Sequence, residues 1–173
     1  MDQNMQKGIV ETVDGRAILT FKRFLPYTTD VVWRALTDPE QFGKWYNAEA
    51  EINPKVGGMF TVHSGPFTWH GPITIWDPSK RFQYEHNHDP VPEMPDGAQT
   101  VVTWTLAPKD SGTELTFTQS GLTTTAGFAP GTHVVLDRLA AFVENTELPD
   151  FGSRFGEIEY LYPVWTAPSS EAK

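Results

Sequence analysis

With 173 residues, 39% of them apolar and 13% aromatic, the chain can bury one sizeable core, and a formal net charge of −9 with no Lys/Arg-rich segment argues against nucleic acid as a partner. No apolar run approaches the ~20 residues that cross a bilayer, and the polar start MDQNMQKG has no signal-peptide core, so a cytoplasmic chain without membrane insertion is expected. The absence of cysteine removes disulfides, thiolate nucleophiles and thiolate zinc sites together.

Residues 1–15 read as a lead-in. Arg16 to Leu25 alternates as a strand with Leu19 and Phe21 on one face and Thr20 and Lys22 on the other, and Pro26 ends it. Thr28, Thr29 and Asp30 offer N-caps for a helix whose Val32, Ala35 and Leu36 share a face. Thr37-Asp38 then caps a second helix opened by Pro39, with Phe42, Trp45 and Tyr46 at helical spacing; Gly43 reads as a breaker ahead of the last two. From Glu49 to Gly121 the period is two, with turns at Val56-Gly57-Gly58, Ser64-Gly65-Pro66, Asp77-Pro78-Ser79 and Lys109-Asp110-Ser111-Gly112, which predicts an antiparallel meander. Alternation puts Phe60, Val62, Trp69, Ile73, Ile75, Phe82, Tyr84, His86, Val102, Trp104, Leu106, Leu115, Phe117 and Gln119 inside. Arg81, Gln83, Glu85 and the threonines fall outside.

Thr132 to Asn145 is the longest helical pattern, with Leu136, Leu139, Ala140 and Val143 as its stripe and Pro130 in its first turn. The elements together predict an α+β fold, a curved antiparallel sheet wrapped around this C-terminal helix, with two short helices inserted after the first strand. Beyond Leu148 the tail holds Phe151, Phe155, Ile158, Tyr160, Leu161, Tyr162, Val164 and Trp165, too apolar for free chain. Gly152, Gly156, Pro149 and Pro163 argue against one continuous helix, so an extended run is expected, with Ile158 and Tyr160 on one face and only TAPSSEAK loose. It would cover its own helices or cross a two-fold axis to make a homodimer.

VVWRALTDPEQFGKW, VGGMF, HGPITIWDPSKRFQYEH, GTELTFTQSGL and HVVLDRLAAFVE, in that order over roughly Arg16 to Glu147, resemble the SRPBCC superfamily of START-like, helix-grip domains. The likeness is to the branch homologous to the C-terminal domain of the heat-shock-protein-90 ATPase activator. It implies a deep, mostly apolar cavity between sheet and helix. Where relatives often show Gly-Trp at the start of the last helix this chain has Gly131-Thr132, which should widen or rehydrate one end of that cavity. The tail from Leu148, set off as 148–173 from the domain at 16–147, is a second departure.

Large rigid aromatics with one polar atom suit the rim and wall of such a cavity. The expected ligand-binding set is Trp45, Tyr46, Phe60, Trp69, Tyr84, His86, Trp104, Phe117, Gln119, His133, Leu136 and Ala140, with the helix pair as a lid. Tyr84, His86, Gln119 and His133 are its orienting polar groups. His63 and His70 fall on the outer face, and His86-Asn87-His88-Asp89 is too short a signature for a metal. No G-x-S-x-G, H-E-x-x-H, G-x-G-x-x-G or P-loop occurs, so no catalytic residue, metal or cofactor is assigned. The leading expectation is binding of a small hydrophobic ligand for sequestration, transport or sensing. The alternatives are a cyclase or dehydratase using His86 or His133 as general base, and a co-chaperone stimulating a heat-shock ATPase.

Overall fold

The computed structural model describes residues 6–168. Strand β1 is Ile9–Val13 and β2 is Arg16–Leu25, joined by a turn in which Asp14 and Gly15 both take positive φ. The segment read as a lead-in therefore carries an edge strand, and the two short helices follow the second strand of the sheet. Helix α1 (Thr29–Thr37) is capped by the Thr28 side chain, which accepts from Val31 N–H. Helix α2 (Pro39–Tyr46) starts on Asp38, whose carboxylate accepts from Glu40 and Gln41. Strands β3 (Glu49–Ile52), β4 (Met59–Ser64), β5 (Phe67–Asp77), β6 (Arg81–His88), β7 (Ala98–Lys109) and β8 (Gly112–Leu122) follow, then α3 (Phe128–Val143) and α4 (Phe151–Ile158).

All pairings are antiparallel, in the order β1-β2-β8-β7-β6-β5-β4-β3, and the curved open sheet wraps α3. No helix among the described residues is long and apolar enough to cross a membrane. The α+β helix-grip reading of the sequence is the observed architecture, and the inward faces of β2, β4, β6, β7 and β8 are those that alternation predicts. One face differs. The pairing of β5 with β6 slips between Ile73 and Ile75, so Ile75 stands opposite the outer Gln83 while Trp76 pairs with Phe82. The indole of Trp76 then meets Trp33 at 5.1 Å and Phe82 at 5.3 Å inside the sheet. A bulge adds one residue to a strand and swaps the faces beyond it, which strict period two misses.

Gly43 does not break α2. The helix runs through it, and glycine is needed there because a Cβ would stand 2.6 Å from Ala48 O. Trp45 consequently faces the core, fully buried, with its Nε1–H donating to Ala35 O at 2.7 Å. Buried Arg138 of α3 donates to Trp45 O (2.8 Å), Lys44 O (3.3 Å) and Pro149 O. One guanidinium thus satisfies the carbonyl end of α2 and fixes where the C-terminal extension begins.

The extension is helical rather than extended, and it packs on its own chain. Asp150 caps α4 by accepting from Ser153 N–H at 3.0 Å, and a 3-10 turn, Glu159–Leu161, follows. Ile158 and Leu161 are buried, whereas Tyr160 is 70% exposed, so Ile158 and Tyr160 do not share a face. Gly8 N–H donates to Tyr162 Oη (2.9 Å), leaving the phenol proton for His133 Nδ1 (2.7 Å). His133 Nε2 lies 3.5 Å from Asp137, which also binds Arg23 at 2.7 Å and Arg154 at 2.9 Å. Farther on, Trp165 O accepts from Thr125 N–H (2.8 Å) and Ala167 N–H reaches Thr123 O (2.7 Å). The start of the segment read as loose is therefore tethered, and its end, Ser169 to Lys173, lies outside the described residues.

Candidate functional site

A cavity of about 470 Å³ lies at one end of the space between the sheet and α3. Phe128, Gly131, Thr132 and Val135 line it from α3, at i, i+3, i+4 and i+7, one stripe of a helix. Trp69 and Phe67 come from β5, His86 from β6, Gln119 from β8, and Ser64 from the end of β4. Tyr46 and the left-handed Asn47 close the α2 side, and Phe151 and Phe155 close it from α4.

The sheet wall is a flat stack. The Trp69 and His86 rings lie 4.6 Å apart at 11°, and Phe128 meets Trp69 edge-on at 5.8 Å. Thr100 Oγ1 donates to His86 O at 2.5 Å and accepts from Gln119 Nε2 at 3.1 Å, which holds the Gln119 amide beside His86. His86 Nδ1 is buried with no hydrogen-bond partner among the described residues. Burial, with smaller contributions from His88 and His70, pulls its pKa down to about 3. Burial pushes the Tyr46 phenol up to about 12. Near neutral pH neither ionisable wall residue carries a charge. Such a surface can stack on a ring and exchange hydrogen bonds with it, but it offers no ion pair.

Of the twelve expected ligand residues, Tyr46, Trp69, His86 and Gln119 stand on this wall. Trp45, Phe60, Tyr84, Trp104, Phe117 and Leu136 are core. Phe60 is packed between Phe42 (5.4 Å), Phe82 (5.7 Å) and Tyr84 (4.3 Å), and Trp104 donates Nε1–H to Tyr84 Oη at 3.2 Å. Burial raises the Tyr84 pKa strongly. Ala140 is half-buried against the core, beyond the end of the cavity stripe. His133 is fully buried on another face of α3, near Phe21 (6.2 Å) and Tyr162. These residues do point inward, but they pack into the core rather than line the cavity.

The sequence reading also missed part of the wall. Phe128 lies ahead of the expected helix start, and Phe151 and Phe155 lie in the segment read as extended; their i, i+4 spacing after the Asp150 cap is the signal that would have found them. His88 is buried too, on the face of β6 that carries His86, with its ring edge-on to Trp69 at 5.0 Å. His63 and His70 are outward, beside Glu51 and Asp89. Among the described residues no group of three or more His, Asp or Glu is placed to hold a metal. A second depression, lined by Glu40, Lys44, Glu49, Glu51 and His63, is charged and lacks converging aromatics.

The buried histidines predict a pH dependence of stability. Burial is also the main cause that lowers His133 to about 4; Arg23 and Arg154 add to it and Asp137 opposes it. Below the ordinary value of 6.5 the unfolded chain takes up protons that folded His86 and His133 refuse, so stability is full above 6.5 and falls as pH drops toward 4 and 3. Each histidine contributes a loss of up to about 1.4 kcal/mol per pH unit. The urea midpoint should therefore decrease between pH 7 and 5, and less steeply in His86→Gln. A midpoint that stays level over that interval would contradict the burial of both rings.

Residues 26–144 match the family described as Activator of Hsp90 ATPase homolog 1-like protein. Among solved structures, protein MLL2253 from Mesorhizobium loti is 25% identical with a TM-score of 0.68, over 76% of this chain and 99% of its own. CalU16 from Micromonospora echinospora is 18% identical with a TM-score of 0.67, over 90% of this chain and 94% of its own. The Aha1 dimer from Colwellia psychrerythraea is 20% identical with a TM-score of 0.63, over 73% of this chain and 96% of its own. No curated protein matches the chain. Helix α4 lies beyond the matched residues.

Proposed function

From the premise that this chain belongs to the family of Activator of Hsp90 ATPase homolog 1-like proteins, we propose that it holds a small, uncharged aromatic or apolar molecule in the cavity above, for sequestration, transport or sensing. The observation that carries this reading is the wall itself. It has an open indole–imidazole stack, phenyl rings from two helices, and ionisable residues that are uncharged near neutral pH. A volume of about 470 Å³ falls within the range of small-molecule sites. Gln119, Asn47, Ser64 and Thr132 supply a few hydrogen-bonding groups for orientation.

A general-base role fits this surface less well. A useful base has a pKa near the working pH, whereas His86 is held near 3, and His133 is away from the cavity. The co-chaperone reading has the family description behind it and no further observation among the described residues. Self-association would use the open edge of β1, where Ile9 and Val13 are exposed, because the extension is engaged with its own chain.

N-phenyl-1-naphthylamine and 8-anilino-1-naphthalenesulfonate share one ring system and differ by a sulfonate. The neutral dye is expected to bind with one site per chain and gain fluorescence. The sulfonate should bind at least about tenfold more weakly, because burying an unpaired charge beside a neutral wall is costly. Equal affinity for the two dyes would contradict an uncharged site, and no saturable binding of either would contradict the cavity reading.

A further inference from the structure

The C-terminal extension is anchored by contacts outside the cavity. Arg154 binds Asp137 at 2.9 Å and Glu157 at 2.8 Å, Tyr162 meets His133 at 2.7 Å, and Ile158 and Leu161 are buried. These anchors leave one edge of α4 for another task. Phe151 and Phe155, one helical turn apart, both line the cavity, with ring centroids 6.0 Å apart at 30°. Neither ring is fully buried. Opposite them α3 presents Gly131, where a Cβ would find Phe151 Cζ at 3.9 Å and nothing else within 4 Å. Space is thus left open in front of a phenyl pair.

We propose that α4 is the selecting wall of the ligand site: Phe151 and Phe155, with the space left by Gly131, favour flat aromatic ligands over aliphatic ones of similar hydrophobicity. Stacked and edge-on rings gain more than the burial of their area, whereas an alkyl chain gains only the burial. The extension is then part of the binding site as well as of the core. The selecting segment lies beyond the family-matched residues 26–144.

This inference rests on the cavity being a ligand site, and the test separates the two. Displacement of N-phenyl-1-naphthylamine from the full chain is measured with 2-naphthol and with 1-heptanol, an aliphatic alcohol of comparable hydrophobicity. The double variant Phe151→Leu/Phe155→Leu should bind 2-naphthol about tenfold more weakly and 1-heptanol within about twofold of the unsubstituted chain. An unchanged preference in the variant overturns the role of α4 and leaves the cavity reading standing. Failure of the unsubstituted chain to bind either alcohol or the dye overturns both. Should the double variant fail to fold by circular dichroism, Phe151→Leu and Phe155→Leu are measured singly, each with an expected loss of about threefold for 2-naphthol.

Discussion

Deleting residues 148–173 is expected to cost about 3 kcal/mol or more, a fall in melting temperature of roughly 6–12 °C for a domain of this size. The deletion removes Ile158, Leu161 and Tyr162 from the core and takes Phe151 and Phe155 off the cavity. It also strips polar partners. His133 loses the Tyr162 hydroxyl, Gly8 N–H loses its acceptor, Asp137 keeps Arg23 but loses Arg154, and Arg138 loses Pro149 O. Buried groups left without partners cost more than the intact bonds contributed, so the loss should exceed what apolar area alone predicts. Newly uncovered rings on α3 and β2 should lower solubility. A truncated protein that is monomeric and melts within about 2 °C of the full chain would show that the extension has no structural role.

Trp104→Ala should be as damaging, at about 3–5 kcal/mol or roughly 6–20 °C. The indole is 1% exposed, lies 4.8 Å from Phe117 and 6.0 Å from Trp45, and donates to Tyr84 Oη. Its removal opens a cavity among rings that cannot collapse into it and leaves a buried hydroxyl short of a donor. Trp69→Ala is the informative contrast. That indole is half-buried on the cavity wall, so its loss should weaken dye binding more than folding. Chemical denaturation of both variants checks the assignment. A small stability loss in Trp104→Ala combined with lost dye binding would move Trp104 from core to site.

Local chemistry carried most of the fold. The strand pattern of Arg16–Leu25 and of β3 to β8 is legible because side chains alternate within one strand and the turns use local conformations, such as the positive φ of Gly57, Gly65, Ser79 and Asp110. Thr28 and Asp38 announce α1 and α2 for the same reason: a cap is a bond between neighbours. The inward placement of His86 and Gln119 followed from alternation alone.

Three features were decided by contacts distant in sequence. The bulge that turns Trp76 inward follows from pairing with β6, and FTWHGPITIWD signals an irregularity only through its Gly71-Pro72 pair, without saying where the register slips. Gly152 and Gly156 are each about 1 kcal/mol less favourable than alanine in a helix, yet α4 forms because Asp150 caps it and Arg154, Ile158 and Leu161 dock it. Finally, alternation identifies which side chains face inward but not which of them pack. A cavity is the part of the interior where packing stays incomplete, so separating core Trp104 from wall Trp69 required the positions of α3 and α4 against the sheet.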